Sequence, residues 1–124
     1  SSLAGFPGIG TSLPILLSEG VNQNKLNLQQ LAHLTSGNAA KIFGMKTKGS
    51  IQKGFDADIT LVDLKKEHTV SSEFFGSFSD YLVYEGWNLK GWPITTMVRG
   101  KLVTENMQVV GKLGHGQMVQ RNLS

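Results

Sequence analysis

Up to about Gly44 the apolar residues recur at helical spacing. From Gly49 onward they alternate with polar ones in short stretches separated by turn glycines. Leu13, Ile15, Leu16 and Leu17 predict a short buried helix, with Thr11 or Ser12 as its cap and Gly20 as its stop; Pro14 falls in the first turn, where a missing N–H costs little. The segment before it, Ala4-Gly5-Phe6-Pro7-Gly8-Ile9-Gly10, is too rich in Gly and Pro for helix or strand and reads as a shaped loop. A second helix starts after Asn27, whose side chain caps it while Gln30 completes a capping box, and Leu28, Leu31, Ala32 and Leu34 form its apolar stripe. Ser36-Gly37 predicts a break and a new cap. A third helix through Ala39, Ala40, Ile42 and Phe43 then ends at Gly44 in the left-handed conformation.

The strand region opens with Gly49-Ser50-Ile51, turns at Lys53-Gly54, and continues as Ala57 to Asp63, where Ile59, Leu61 and Val62 imply burial on both faces. His68-Thr69-Val70 predicts another brief strand, and Ser71 or Ser72 a cap for a helical turn carrying Phe74 and Phe75. Trp87 to Lys90, Ile94 to Val98 and Lys101 to Thr104 follow as strands, the last two joined by Arg99-Gly100, and Met107 to Val110 comes after Glu105-Asn106. Beyond Gly111 the tail is glycine-rich and aperiodic. Helices first and strands afterwards is an α+β layout. Strands this short, partly apolar on both faces, want partners from elsewhere.

With 124 residues, 40% of them hydrophobic, and a net charge of +3, the chain is at most one domain's worth of material and not a disordered tail. Its 12 basic residues are scattered from Lys25 to Arg121 with no run longer than Lys65-Lys66, so the charge does not argue for nucleic acid. The absence of cysteine excludes disulfides, thiolate-held metals and thiol nucleophiles, and it fits a cytoplasmic location. The longest apolar run, Leu13 to Leu17, falls far short of the roughly 20 residues a bilayer requires, so no membrane span is expected. A start at Ser1-Ser2-Leu3, with neither an initiator Met nor a signal peptide, reads as a fragment of something longer.

Candidate chemistry is thin. His33, His68 and His115 have no paired spacing of the kind that holds zinc; His33 reads as a surface or boundary residue, and His115 as able to reach a neighbour from the tail. Asp56-Ala57-Asp58 invites a general acid/base or calcium reading, but two acids at a strand entrance set turns and cap backbone N–H groups, and further oxygen ligands are lacking. The glycine-rich opening precedes a helix yet lacks the Gly-Lys-Ser/Thr ending of a phosphate loop. Its better reading is backbone that approaches a ligand closely. No G-x-S-x-G elbow is present. Tyr81, Tyr84, Trp87 and Trp92 are interleaved with Asp80 and Glu85 rather than a basic stripe, which suits a core or interface patch. No complete catalytic constellation and no metal site emerge.

Several stretches together resemble the cyclic amidohydrolases, that is hydantoinase/dihydropyrimidinase, allantoinase and the longer form of dihydroorotase. They are Gly5-Phe6-Pro7-Gly8-Ile9-Gly10-Thr11-Ser12-Leu13-Pro14-Ile15-Leu16-Leu17, Leu28 with Leu31, Asn38-Ala39-Ala40-Lys41-Ile42-Phe43-Gly44, Lys48-Gly49-Ser50-Ile51, Gly54-Phe55-Asp56-Ala57-Asp58-Ile59, Tyr84-Glu85-Gly86 with Lys90-Gly91-Trp92-Pro93, Val98-Arg99-Gly100-Lys101, and Gly114-His115-Gly116-Gln117. They occur in the family's order and cover essentially the whole chain. The resemblance implies an α/β parent enzyme. Residues 1–48 would be the last helices of a (β/α)₈ TIM barrel, 49–110 the C-terminal part of a composite β-sandwich, and 111–124 a Gly-rich C-terminal tail.

It also implies hydrolysis of a small cyclic amide or ureide by two zinc ions bridged by a carboxylated lysine, with every ligand upstream of Ser1, so that the 124 residues alone are inactive. Ala4 and Gly5 occupy the positions that touch substrate through backbone groups. Expected partners are the remainder of the same polypeptide and further copies in a homo-oligomer, with no nucleic acid and no membrane. Dihydroorotase is the alternative within the family, and a non-catalytic relative acting as an assembly or interaction module is the alternative outside it. Two departures stand out: Gly10 replaces the family's acidic residue, and Ala39 the usual proline.

Overall fold

The computed structural model describes residues 7–75 and 81–122. Its element order is α1 (Ile9–Ile15), a π-helical stretch (Leu16–Val21), α2 (Leu28–Ala32), a second π-helical stretch (His33–Gly37), α3 (Asn38–Ile42), β1 (Ile59–Thr69), α4 (Ser72–Phe75), β2 (Asn88–Val98), β3 (Lys101–Glu105) and β4 (Gln108–Val109). Among the described residues the strands form one sheet in the order β1-β2-β3-β4, with β2/β3 and β3/β4 antiparallel. The chain divides into two compact units. One takes the residues up to Lys25 together with Asp63–Trp92, and the other Leu26–Val62 together with Pro93 onward.

In the first unit α1 is entered from Gly8, three to four residues before the expected caps. Thr11 and Ser12 lie inside the first turn, and both hydroxyls donate back to the Gly8 carbonyl, at 3.2 and 2.7 Å. Pro14 therefore sits in the second turn, buried. Gly20 does not stop the helix, because its φ stays negative; the chain winds on through a wider turn, in which the Asn22 N–H reaches the Leu17 carbonyl, and leaves at Asn24, with φ 56°. Asn22 then donates to the Leu64 and Lys90 carbonyls at 3.0 and 2.6 Å. Leu17, Val70, Leu89 and Trp92 are the buried centre of this unit. Ser71, rather than Ser72, accepts the Phe74 N–H at the start of α4, as one of the two expected caps. The expected breaks between Asp63 and His68, and between Lys90 and Ile94, are both bridged. A single strand runs through each, and within β2 Gly91 has φ 108° two residues before Pro93.

In the second unit the capping box at Asn27 and Gln30 is present in both directions, each bond 2.8 Å long. Of the apolar stripe Leu31 is buried, whereas Leu28 and Leu34 are exposed. The break expected at Ser36-Gly37 does not occur. Gly37 is right-handed (φ −59°, ψ −48°), and the backbone passes through the second π-helical stretch into α3. Gly44 does end α3 at φ 65°: its N–H bonds to the Lys41 carbonyl and that of Met45 to the Ala40 carbonyl, the paired bonds of a Schellman motif. Gly49-Ser50-Ile51 is a bend and not a strand. Gly49 has φ 84°, and a Cβ there would fall 2.6 Å from that of Ala40, so the glycine serves close approach to α3.

Two-residue turns set the register of the sheet's second half. Arg99-Gly100 (φ 45° and 74°) joins Val98 to Lys101, and Asn106-Met107 (φ 48° and 64°) joins Glu105 to Gln108. Positive φ at both central residues is the type I′ geometry, whose twist matches that of the strands. Met107 is an uncommon residue for that conformation, and its N–H is held by the Ile94 carbonyl at 2.9 Å.

Candidate functional site

Ala4 and Gly5, the expected substrate contacts, lie outside the described residues. Gly8, Thr11, Ser12, Ile15, Leu16 and Tyr84 line a cavity of about 340 Å³ in the first unit. Its polar atoms are spoken for locally, since the Thr11 and Ser12 hydroxyls bind the Gly8 carbonyl; Thr11 is almost wholly buried. Both hydroxyls at the opening of α1 thus serve its own backbone.

Of the four aromatic residues singled out in the sequence, Trp92 is buried, and Tyr84 and Trp87 meet edge to face at 5.2 Å. Sequence reasoning missed the cluster around Trp92. His68 and Phe74 present edges to its ring at 5.2 and 5.8 Å, Phe75 stacks on it at 6.2 Å, and its indole N–H donates to the Leu89 carbonyl at 2.8 Å. His68 is therefore an aromatic packing partner. Phe74 and Phe75 are marked in the sequence only as apolar residues of a helical turn; their meeting with Trp92, across 17 or 18 positions, leaves no local signal.

The second unit holds a polar network around Asp56-Ala57-Asp58, and these residues do what the sequence predicts, fixing turns and backbone. Asp58 accepts the Arg99 N–H at 2.9 Å, the Ala57 carbonyl accepts the Gly100 N–H at 3.0 Å, and Asp56 accepts the Thr47 hydroxyl at 2.9 Å. Lys48, which the sequence did not single out, bridges both carboxylates, with Asp56 at 3.1 Å and Asp58 closer still. The hydrogen bond to Asp58 foremost, with that to Asp56, holds the Lys48 ammonium above its ordinary range. Lys48 in turn, with the Thr47 hydroxyl, draws Asp56 down. Burial pushes Asp58 up, but Lys48 and the Arg99 N–H outweigh it and leave it below the usual carboxylate range. All three groups are thereby kept charged and paired. That is the chemistry of a clamp, not of a general acid or base.

His115 does reach a neighbour. Its Nε2 lies 2.9 Å from the Val98 carbonyl, and the Arg99 guanidinium donates to the His115 carbonyl. Further along the tail, the Asn122 N–H donates to the Gly44 carbonyl at 2.9 Å. A cavity of about 420 Å³ lies against this segment, with Lys48, Asp58, Arg99 and Gln117 among its walls. His33 is exposed. Among the described residues no three His, Asp or Glu side chains come together as a metal site, and no helix is long and apolar enough to cross a membrane. The residues described here do not fit a metal centre.

Residues 11–103 match the family model described as "Amidohydrolase family". The L-hydantoinase of Paenarthrobacter aurescens is 39% identical over 118 residues, which is 94% of this chain and 26% of the relative. The dihydroorotase of Pyrococcus furiosus is 40% identical over 109 residues, 88% of this chain and again 26% of the relative. Among solved structures, the L-hydantoinase (dihydropyrimidinase) from Arthrobacter aurescens superposes with a TM-score of 0.90 at 39% identity, over 94% of this chain and 26% of that one. The chain spans about a quarter of the length of the curated relatives it matches.

Proposed function

Because this chain belongs to the amidohydrolase family, we propose that it is the C-terminal part of a metal-dependent hydrolase of cyclic amides or ureides, of the hydantoinase/dihydropyrimidinase or allantoinase type. The observation that carries the reading is the superposition of 94% of the chain on an L-hydantoinase at 39% identity. In this proposal residues 1–48 close a (β/α)₈ barrel, 49–110 contribute to a composite β-sandwich and 111–124 form its tail. The remainder of the polypeptide supplies the ligands for two zinc ions and a carboxylated lysine. Such ions, when bound there, would supply activation of water for opening the ring. The part left to this chain is to hold substrate through the backbone at Ala4 and Gly5 and to keep that backbone in place. The protein works in the cytoplasm as a homo-oligomer, with neither nucleic acid nor membrane as a partner.

A second reading, dihydroorotase, is favoured by the 40% identity to the Pyrococcus furiosus enzyme. Full-length protein assayed with hydantoin, dihydrouracil, allantoin and dihydroorotate decides between them by which ring it opens. The expected outcome is chelator-sensitive turnover of one of these rings by the full-length protein and none by the 124 residues alone with added zinc. Turnover by the 124 residues refutes the division of labour. No turnover of any ring by the metal-loaded full-length protein refutes the enzymatic reading in favour of an assembly module.

A further inference from the structure

The stretch from Gly111 to Asn122 has neither strand nor helix, yet it is fastened at two points in the second unit. At His115 the ring meets the Val98 carbonyl and the main-chain carbonyl accepts the Arg99 guanidinium; at Asn122 the N–H meets the Gly44 carbonyl. Between those anchors residues 116–121 make no hydrogen bond to the described residues. A cavity of about 440 Å³ lies against them, and its charged walls are Lys46, Lys48, Asp56, Arg99 and Arg121. Lys48 is already held by Asp56 and Asp58, so that clamp carries one surplus negative charge. Lys46 and Arg121 form no ion pair among the described residues, and Arg99 uses only its Nη2 toward His115, leaving Nε and Nη1 unpartnered there. Three cations set against one surplus carboxylate leave the site two positive charges in excess at neutral pH. Like charges gathered in one cleft repel each other and concentrate a positive field in it, and an anion of matching charge offsets both.

We infer that this cavity is a binding site for a phosphate dianion, free or esterified to a small organic group. Lys46, the Arg99 guanidinium and Arg121 of the tail hold it, so that the ligand fastens residues 116–121 between their two anchors. A phosphate group with about two negative charges matches the excess, where a carboxylate would supply half of it. Its oxygens suit the planar fork of a guanidinium. The volume falls in the range of about 300–1,000 Å³ usual for small-molecule sites and leaves room for an organic group beside the phosphate. The inference uses only described residues of the second unit and stands whether or not the protein opens a cyclic amide.

The test titrates full-length protein by calorimetry with inorganic phosphate and with glycerol phosphate at about pH 8, where the second phosphate proton is lost, ionic strength being held constant with chloride. The expected result is saturable binding of at least one of them with a Kd of about 1 mM or tighter, and hydrogen exchange at the amides of residues 116–121 slowed by about threefold or more at saturation. Tighter binding of glycerol phosphate marks an ester as the ligand, and equal binding marks free phosphate. Lys46→Gln and Arg121→Gln, both at exposed side chains whose loss leaves the fold intact, each weaken binding by about fivefold, and Lys46→Arg, which keeps the charge, retains it. Lys25→Gln removes an equal charge at an exposed position outside the cavity and leaves the Kd within about twofold. No saturation by either probe up to about 20 mM overturns the inference. So do an undiminished affinity in Lys46→Gln and Arg121→Gln, or a loss in Lys25→Gln as large as theirs, which shows attraction to net charge alone.

Discussion

Replacing Gly44 by alanine separates two demands that the structure makes of one residue. The first is conformational. At φ 65° an L side chain is crowded against its own carbonyl, which costs about 1 kcal/mol. The second is spatial, since a Cβ at Gly44 would lie 2.2 Å from the Asn122 carbonyl oxygen and 2.8 Å from its carbon, both well inside the roughly 3.5 Å at which such atoms rest. The tail has to withdraw, and the 2.9 Å bond from the Asn122 N–H to the Gly44 carbonyl goes with it, about 1 kcal/mol more. Gly44→Ala is therefore expected to cost about 2 kcal/mol, or about thirtyfold faster native-state hydrogen exchange at the Schellman amides of Gly44 and Met45. In full-length protein shortened by residues 122–124 only the conformational part remains, and the same substitution accelerates exchange by about fivefold. Equal acceleration with and without residues 122–124 refutes the packing argument. No acceleration in either background refutes both.

Lowered Asp56 and Asp58 and a raised Lys48 give the clamp a stability that is fully present between the ordinary carboxylate and lysine ranges. It is lost as pH falls through the depressed carboxylate values, and again as pH rises through the elevated lysine value. The difference in urea midpoint between wild type and Lys48→Met should accordingly be flat from about pH 5 to 9 and shrink outside it; a gap that widens in acid contradicts the assignment. Trp92→Ala removes the centre of the aromatic cluster and is expected to destabilise by about 3–5 kcal/mol in denaturant unfolding, with a loss below about 1 kcal/mol excluding a core role. Asn27→Ala should cost about 1 kcal/mol by thermal melting and Asn27→Ser much less; an equal loss for both shows that the cap is not what matters there.

The features legible in the sequence are those whose cause lies within four residues. The capping box needs only Asn27 and Gln30, the helix end only Gly44, and the hairpin only Arg99-Gly100. Asp56 and Asp58 were read correctly as structural because the residues that would have made them a cation site are absent from their neighbourhood. What was missed has distant causes. Helix continuity through Gly20 and Gly37 depends on glycines that remain right-handed under packing, and a lone glycine gives no sign of which hand it takes. The joining of short strands into β1 and β2 depends on partner strands that supply pairing through positions with poor local propensity. Lys48 finds its second carboxylate ten residues on, and Asp58 finds the Arg99 N–H 41 residues on. Ala4 and Gly5 were reached only through family resemblance, since nothing in Ala-Gly itself speaks of a substrate.

The wide turn at Leu16–Val21 has a consequence for how this stretch tolerates change in length. Such a turn accommodates one residue more than an α-helix would over the same rise, so trimming one residue there leaves a segment able to rewind as ordinary α-helix with its hydrogen bonds intact. The wide turn and the α-turn that replaces it cover the same rotation, so the segments beyond keep their direction and the Asn22 amide still faces the two carbonyls, of Leu64 and Lys90, that it joins. The surplus residue is absorbed inside the wide turn, so this stretch can lose one position where a regular helix could not.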